Sequence, residues 1–168
     1  MIRRIHQLSM TFATVLLSLA VASSASAQDV KKGPAFELFG ARVEPIDTDS
    51  GFDTESYGVR GGFRFSNVWT LEGALSRLNE DAAVGFADLS AKAYVIDSDR
   101  FEIYALAGPG LYKVPGREEL TVHLGIGAEI GVGQRSYLRP EVRGHWLADE
   151  LRADDGLLDY SLGFGWRF

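Results

Sequence analysis

The chain has no cysteine among its 168 residues, which excludes a disulfide framework, a thiolate metal centre and a lipid anchor on an N-terminal cysteine. Past residue 27 it also lacks any apolar run near the roughly 18 residues that mark a membrane-crossing helix. If the protein lives in a membrane, only a closed barrel is open to it, because other spanning forms leave backbone groups unpaired in lipid. Positive charge is scarce too: 17 Lys and Arg stand against 23 Asp and Glu, the wrong sign for a nucleic-acid partner. No helix-borne metal motif, phosphate loop or nucleophile elbow is present. The expectation is therefore a protein without enzymatic activity, metal or other cofactor.

What is present begins with export. Arg3 and Arg4 precede an apolar run from Met10 to Ala22, followed by Ala25-Ser26-Ala27. That charged, apolar, small-residue order is a secretory signal, with cleavage after Ala27. The run is too short for a spanning helix, for which about 20 residues are needed. Residues 1–27 are thus the signal peptide and residues 28–168 a single domain.

Alternation dominates the mature chain. Between Leu120 and Val132 the residues Leu120, Val122, Leu124, Ile126, Ala128, Ile130 and Val132 share one face, against Thr121, His123, Gly125, Gly127, Glu129 and Gly131. Leu158, Tyr160, Leu162, Phe164, Trp166 and Phe168 repeat the pattern at the C-terminus. A period of two is the mark of a strand with one apolar face. Shorter alternating runs cover Tyr57–Phe65, Trp69–Ser76, Phe86–Val95, Phe101–Leu111 and Tyr137–Trp146. In the last of these, Pro140 predicts a bulge or local irregularity. A first strand over Ala35–Val43 has no clear facing, since Phe36 and Leu38 share a side with Arg42, and Glu37 shares one with Phe39 and Val43. The total is eight, an even number as in bacterial single-chain barrels.

The connections alternate in length. Residues 66–68, 97–100 and 133–136 make short turns; 44–56, 79–85, 113–119 and 147–156 make longer polar loops. This is the pattern of an up-and-down barrel with short turns and both termini at the periplasmic end and long loops outside.

A soluble lipocalin-like barrel also alternates, so face chemistry must decide. Eight strands enclose a space just wide enough for side chains, and Tyr160, Phe164, Trp166 and Phe168 with their counterparts would overfill it. Glycine, serine, threonine and alanine with a few long charged residues would fit. The apolar face is assigned outward, to lipid, with Trp69, Trp146, Tyr160, Trp166 and Phe168 near the interfaces. The fold class is all-β: an eight-stranded antiparallel up-and-down transmembrane β-barrel.

The closing segment Asp159-Tyr160-Ser161-Leu162-Gly163-Phe164-Gly165-Trp166-Arg167-Phe168 resembles the last strand of small OmpA/OmpX-type, opacity-like outer-membrane barrels, and Leu138-Arg139-Pro140-Glu141-Val142-Arg143 looks like their penultimate strand. The resemblance implies residence in the outer membrane of a Gram-negative cell among lipid and lipopolysaccharide. It implies that Phe168, with Trp166 and Phe164, signals to the barrel-assembly machinery. It also implies that the chain, ending there, has no periplasmic peptidoglycan-binding domain.

Periodicity turns Arg60, Arg64, Glu72, Asp88, Lys92, Glu102, Glu129, Arg139, Glu141, Arg143 and Arg167 inward. In a narrow lumen of low dielectric these must pair, and five acids nearly balance six bases, as a closed ion-pair network needs and a sign-selective pore does not. The function expected is a monomeric envelope protein with a structural or interaction role and at most a narrow porin-like path. The alternatives are a lipid A-modifying enzyme and the soluble binding barrel. Some outer-membrane barrels deacylate lipid A with a His and a Ser at the lipid-facing rim; here His145 is followed by Trp146-Leu147-Ala148, not Ser-Asn after one residue, and faces inward as a hydrogen-bonded polar group. The loop carboxylates Asp47, Asp49, Asp53, Glu55, Asp149, Glu150, Asp154 and Asp155 are candidates for holding cations against lipopolysaccharide phosphates.

Overall fold

A computed structural model describes residues 32–46, 54–78, 85–114, 117–148 and 156–168. Residues 1–27, read as the signal peptide, lie outside the described residues, as do all the candidate cation-holding loop acids except Glu55. The described chain forms eight strands: β1 Gly33–Pro45, β2 Thr54–Arg64, β3 Trp69–Leu78, β4 Gly85–Asp97, β5 Phe101–Val114, β6 Arg117–Gly131, β7 Ser136–Leu147 and β8 Gly156–Arg167. Each pairs antiparallel with its sequence neighbours, and β1 pairs β8 from Ala35↔Arg167 to Pro45↔Leu157, closing the barrel. Even the ten residues of β3, tilted near 45°, cover about 23 Å, close to the apolar band of an outer-membrane barrel.

Alternation sets the facing throughout. Leu71, Leu75, Leu89, Leu124, Ile126, Leu162 and Phe164 are exposed on the outer surface, with Ile126 63% accessible. The intervening residues of the same strands turn inward, and Glu72, Ser90, His123, Ser161 and Gly163 among them are buried. The unresolved facing of β1 is settled by its neighbours: Phe36, Leu38, Gly40 and Arg42 point outward, while Glu37, Phe39 and Val43 are buried in the lumen. Aromatic rings stand at or next to strand ends, with Phe65, Trp69, Phe101, Trp166 and Phe168 at one end and Tyr57 and Tyr160 toward the other.

The short turns are built by serine. In the first, Ser66 Oγ accepts from the N–H of Trp69 at 2.9 Å; in the second, Ser98 Oγ accepts from the N–H of Phe101 at 3.2 Å. A hydroxyl that caps nearby N–H groups lets the chain reverse without leaving them unpaired. The first and last described residues lie at this end, where the N–H of Phe168 bonds the carbonyl of Pro34 at 3.1 Å.

Three local expectations are corrected or narrowed. Of the bulge or local irregularity expected at Pro140 only the second is found: β7 keeps one register with β8 through Pro140↔Leu162, while the β6 ladder is interrupted between Gly127↔Glu141 and Ile130↔Leu138 without a change of register. Exposed on the lipid side, Pro140 interrupts one ladder and shifts nothing. The register shift falls instead between Tyr94 and Ile96 of β4. It reverses the alternation, turning Ile96 outward and Asp97 toward the lumen. Finally, residues 113–119 are not a long loop, because β5 and β6 pair as far as Val114↔Arg117 and leave only 115–116 between them. Near the end of this hairpin Lys113 Nζ is 2.9 Å from Glu118 Oε1.

Candidate functional site

The lumen carries the chemistry. All eleven charged residues assigned inward lie in it, and one chain of ion pairs connects them. Arg64 Nη1 meets Glu102 Oε1 at 2.5 Å, and Arg167 bonds both Glu102 and Glu129. Lys92 Nζ sits 2.5 Å from Glu129 Oε1 and 3.4 Å from Glu72 Oε2. Glu72 then takes a two-pronged bond from Arg139, at 2.5 and 2.8 Å. Arg139, fully inaccessible, also reaches Glu141 at 2.5 Å and Glu37 at 3.2 Å. From Glu141 the chain passes to Arg60 at 3.0 Å and Arg143 at 2.8 Å, and ends with Arg143 Nη1 on Asp88 Oδ2 at 2.9 Å.

Sequence reasoning missed three members of this interior. Glu37 bonds Arg60 at 2.7 Å, and went unseen because the facing of β1 was ambiguous. Asp97, 2.8 Å from Arg64, comes inward only through the β4 register shift, which a strict period of two conceals. Asp159 is buried opposite Arg143 in the β7–β8 register; its polar position was legible in the alternation, but its charge was not counted. The near balance of five acids and six bases is thereby corrected. Eight carboxylates face six bases, a formal excess of two negative charges among the described lumen groups.

The interior is also less purely polar than expected. Tyr94, Tyr104, Tyr137, Phe39 and Phe86 are buried in it. Their rings work with the charges: Tyr104 accepts from Arg139 Nε at 2.5 Å and donates to Glu141 Oε2 at 2.7 Å, and the Arg60 guanidinium lies 3.8 Å over the Phe39 ring. Room comes from the facing strand. A Cβ on Gly127 would stand 2.2 Å from the Tyr104 hydroxyl, and one on Gly165 2.2 Å from the Tyr137 ring. Inward glycines are thus what lets an eight-stranded barrel hold large residues inside.

Toward the long-loop end the lumen changes character. Val43, Leu78 and Phe86 form an apolar cluster with Tyr112 and Leu157 against it. Beneath this cap sit His123 and His145, directly opposite each other in the β6–β7 register with ring centroids 5.6 Å apart. His123 Nε2 and Ser90 Oγ are hydrogen-bonded at 2.8 Å. The expectation of a hydrogen-bonded His145 is corrected: neither ring nitrogen has a partner among the described residues, and the ring packs 4.6 Å from that of Phe86. The cause is the inward face of β4, which changes from Asp88 to Phe86 at this level. His145 faces the lumen and is 3% accessible, so it is turned away from the lipid surface where the deacylase alternative places its histidine.

At the short-turn end a cavity of about 280 Å³ enters the lumen between Lys32, Arg135 and Phe168 and reaches Glu37, Arg60, Glu72 and Lys92 of the network.

Comparison with known proteins agrees with this architecture. The profile of the outer membrane protein beta-barrel domain family matches residues 12–168. No curated protein matches the chain in sequence. Among solved structures, the N-terminal β-barrel domain of Pseudomonas aeruginosa OprF is similar with a TM-score of 0.63 at 12% identity, covering 82% of this chain and 99% of that one. Ail, the attachment invasion locus protein of Yersinia pestis, gives a TM-score of 0.55 at 15% identity, over 82% of this chain and 97% of Ail. OprG from Pseudomonas aeruginosa gives 0.54 at 12% identity, over 83% and 99%. At these identities the likeness is one of fold.

Proposed function

The chain belongs to the outer membrane protein beta-barrel domain family, and from that premise we propose that it is a structural and interaction protein of the envelope whose lumen is a plug. It is an integral outer-membrane barrel; the finer role rests on one observation, the unbroken run of ion pairs from Arg64 to Asp88. A conducting path needs groups that release an ion as readily as they bind it. Here the carboxylates are already held by guanidinium and ammonium groups at 2.5–3.4 Å, so a permeating ion must break those pairs in a medium where an unpaired charge is costly.

In this reading the short turns and both termini face the periplasm and the longer loops face outward. The apolar band contacts lipid and lipopolysaccharide as a monomer, and Phe164, Trp166 and Phe168 address the assembly machinery. Support comes from the even strand count, from the clustering of the first and last described residues with the short turns, and from Phe168, which is 72% accessible beyond the last ladder. Attachment, which the name of the structurally similar Ail carries, is the kind of interaction the loop end would serve.

Planar-bilayer recording tests the plug. The purified barrel is expected to give no sustained conductance steps, whereas Arg139→Ala, which opens the centre of the network, gives intermittent ones. Stable, ion-selective steps from the unaltered protein would overturn the reading.

A further inference from the structure

We infer that the loop-side half of the lumen is a divalent-metal site, formed by Asp88, His123 and His145, for zinc or a similar first-row transition ion. The three side chains come from β4, β6 and β7, and one ligand atom from each lies within 4.8 Å of the others. Asp88 Oδ1 is 3.6 Å from His123 Nδ1 and 4.0 Å from His145 Nδ1. Those three atoms are buried, and none has a hydrogen-bond partner among the described residues. Three converging buried polar atoms without partners are a costly arrangement in a protein interior unless something binds them. The tautomer that donates Nε2–H to Ser90 leaves the His123 Nδ1 lone pair free for that role. Zinc would draw them in by only a few tenths of an ångström to ligand distances of about 2.0–2.2 Å.

The surroundings fit a metal in two further ways. Each of two ligands is held from behind. His123 has its far nitrogen, Nε2, on Ser90 Oγ at 2.8 Å, which leaves Nδ1 for the ion; Asp88 has its other oxygen, Oδ2, on Arg143 at 2.9 Å. Such outer partners fix tautomer and orientation at metal centres. The charge fits as well. The lumen carries a formal excess of two carboxylates, one of them Asp159, whose Oδ1 is likewise unpartnered. Asp97 is held by Arg64 at the short-turn end, so the part of that excess on the loop side is Asp159, opposite Arg143, which is the one cation in direct contact with a ligand.

Donor chemistry selects the ion. Two imidazoles and one carboxylate suit zinc, cobalt, nickel or copper; calcium and magnesium demand more oxygen ligands than the site offers. Phe86 and Tyr112, stacked at 4.8 Å, cover the site from the loop end. The ion is therefore best supplied while the barrel folds.

The test uses the tag-free full chain refolded in detergent with and without Zn²⁺. The chain has three histidines, so the imidazole ¹⁵N signals are few enough to assign. The expected result is one tightly held zinc per chain and a joint shift of the His123 and His145 Nδ1 signals, with no response to Ca²⁺ or Mg²⁺. Co²⁺ is expected to give visible d–d bands in the same protein. His145→Ala should weaken binding by more than tenfold, and Ser90→Ala by roughly tenfold through the lost outer partner. Folding of each variant is checked by its faster migration when unboiled on a detergent gel. Should a variant fail to fold, the ¹⁵N shifts of the unaltered chain still decide. Zinc binding that leaves both imidazoles unshifted, or no saturable binding, overturns the inference.

Discussion

The two halves of the lumen differ in what they enclose: a network of ion pairs fills the short-turn half, while an apolar cluster caps two histidines in the other. From Arg64 to Glu141 nearly every polar atom has a partner, and the carboxylates are shared between cations. From the level of Ser56 and Asp159 to the loop end, polar atoms are buried without one: the hydroxyls of Thr54, Ser56 and Thr121, His123 Nδ1, both nitrogens of His145, and one oxygen each of Asp88 and Asp159. Among the described residues the short-turn half has only the Thr70 hydroxyl and Arg60 Nε in that condition. The polar atoms named in both halves are buried, so burial by itself does not separate them. What differs is whether lone pairs and protons are matched.

The sharpest way to break the contrast is to remove the hub of the matched half. Arg139→Ala leaves Glu72 and Glu141 buried without their principal cation. Removing one partner of a buried pair costs about 3–5 kcal/mol. Urea unfolding of lipid-reconstituted protein is expected to show a loss of that order. A loss under about 1 kcal/mol would mean that water, and not the guanidinium, holds those carboxylates.

A middle-sized effect separates the halves by volume. Gly127→Ala places a methyl 2.2 Å from the Tyr104 hydroxyl, whose bonds to Arg139 and Glu141 must then distort. Overpacking of this kind costs about 1–3 kcal/mol. Gly110→Ala in the other half meets Asp88 Oδ1 at 2.3 Å and Thr121 Oγ1 at 2.7 Å, atoms that make no hydrogen bond themselves, so the single bond at stake is the one from Arg143 to Asp88 Oδ2. The second change should cost clearly less than the first in the same unfolding assay, without added metal.

How far all this was legible follows from the same physics. A period of two is enforced wherever one face meets lipid and the other a packed lumen, so the facing of Leu120–Val132, Tyr137–Trp146 and Leu158–Phe168 could be read directly, and with it Glu129, Arg139, Glu141, Arg143 and Arg167. Where an outward position is polar, as at Arg42, or an inward one aromatic, as at Phe39, the pattern loses its sign, and Glu37 was lost with it. A bulge is invisible to periodicity because it is the one place where periodicity stops, and it hid Asp97. The pairing of partners across the lumen was not legible at all. Arg139 meets Glu72 from a strand four places away around the sheet, a contact fixed by barrel diameter and not by any spacing in the chain.

The finest comparison lies at the boundary of the two halves. Ser56 and Ser161 flank the same residue, Ala41 of β1, one on each neighbouring strand, and both are buried. Ser161 Oγ accepts from Arg60 Nη2 at 3.0 Å; Ser56 Oγ has no partner. The two truncations remove the same atom from the same depth, so packing and hydration changes nearly cancel between them. Ser161→Ala should then cost about 1 kcal/mol, the net worth of one hydrogen bond, softened because Arg60 keeps Glu37 and Glu141. Ser56→Ala should lie within about 0.5 kcal/mol of zero, or stabilise, because it removes a hydroxyl that was desolvated for nothing. Equal losses from both would show that an ordered water supplies Ser56 with the bond its neighbours do not, and the division of the lumen into a matched and an unmatched half would have to be redrawn at that level.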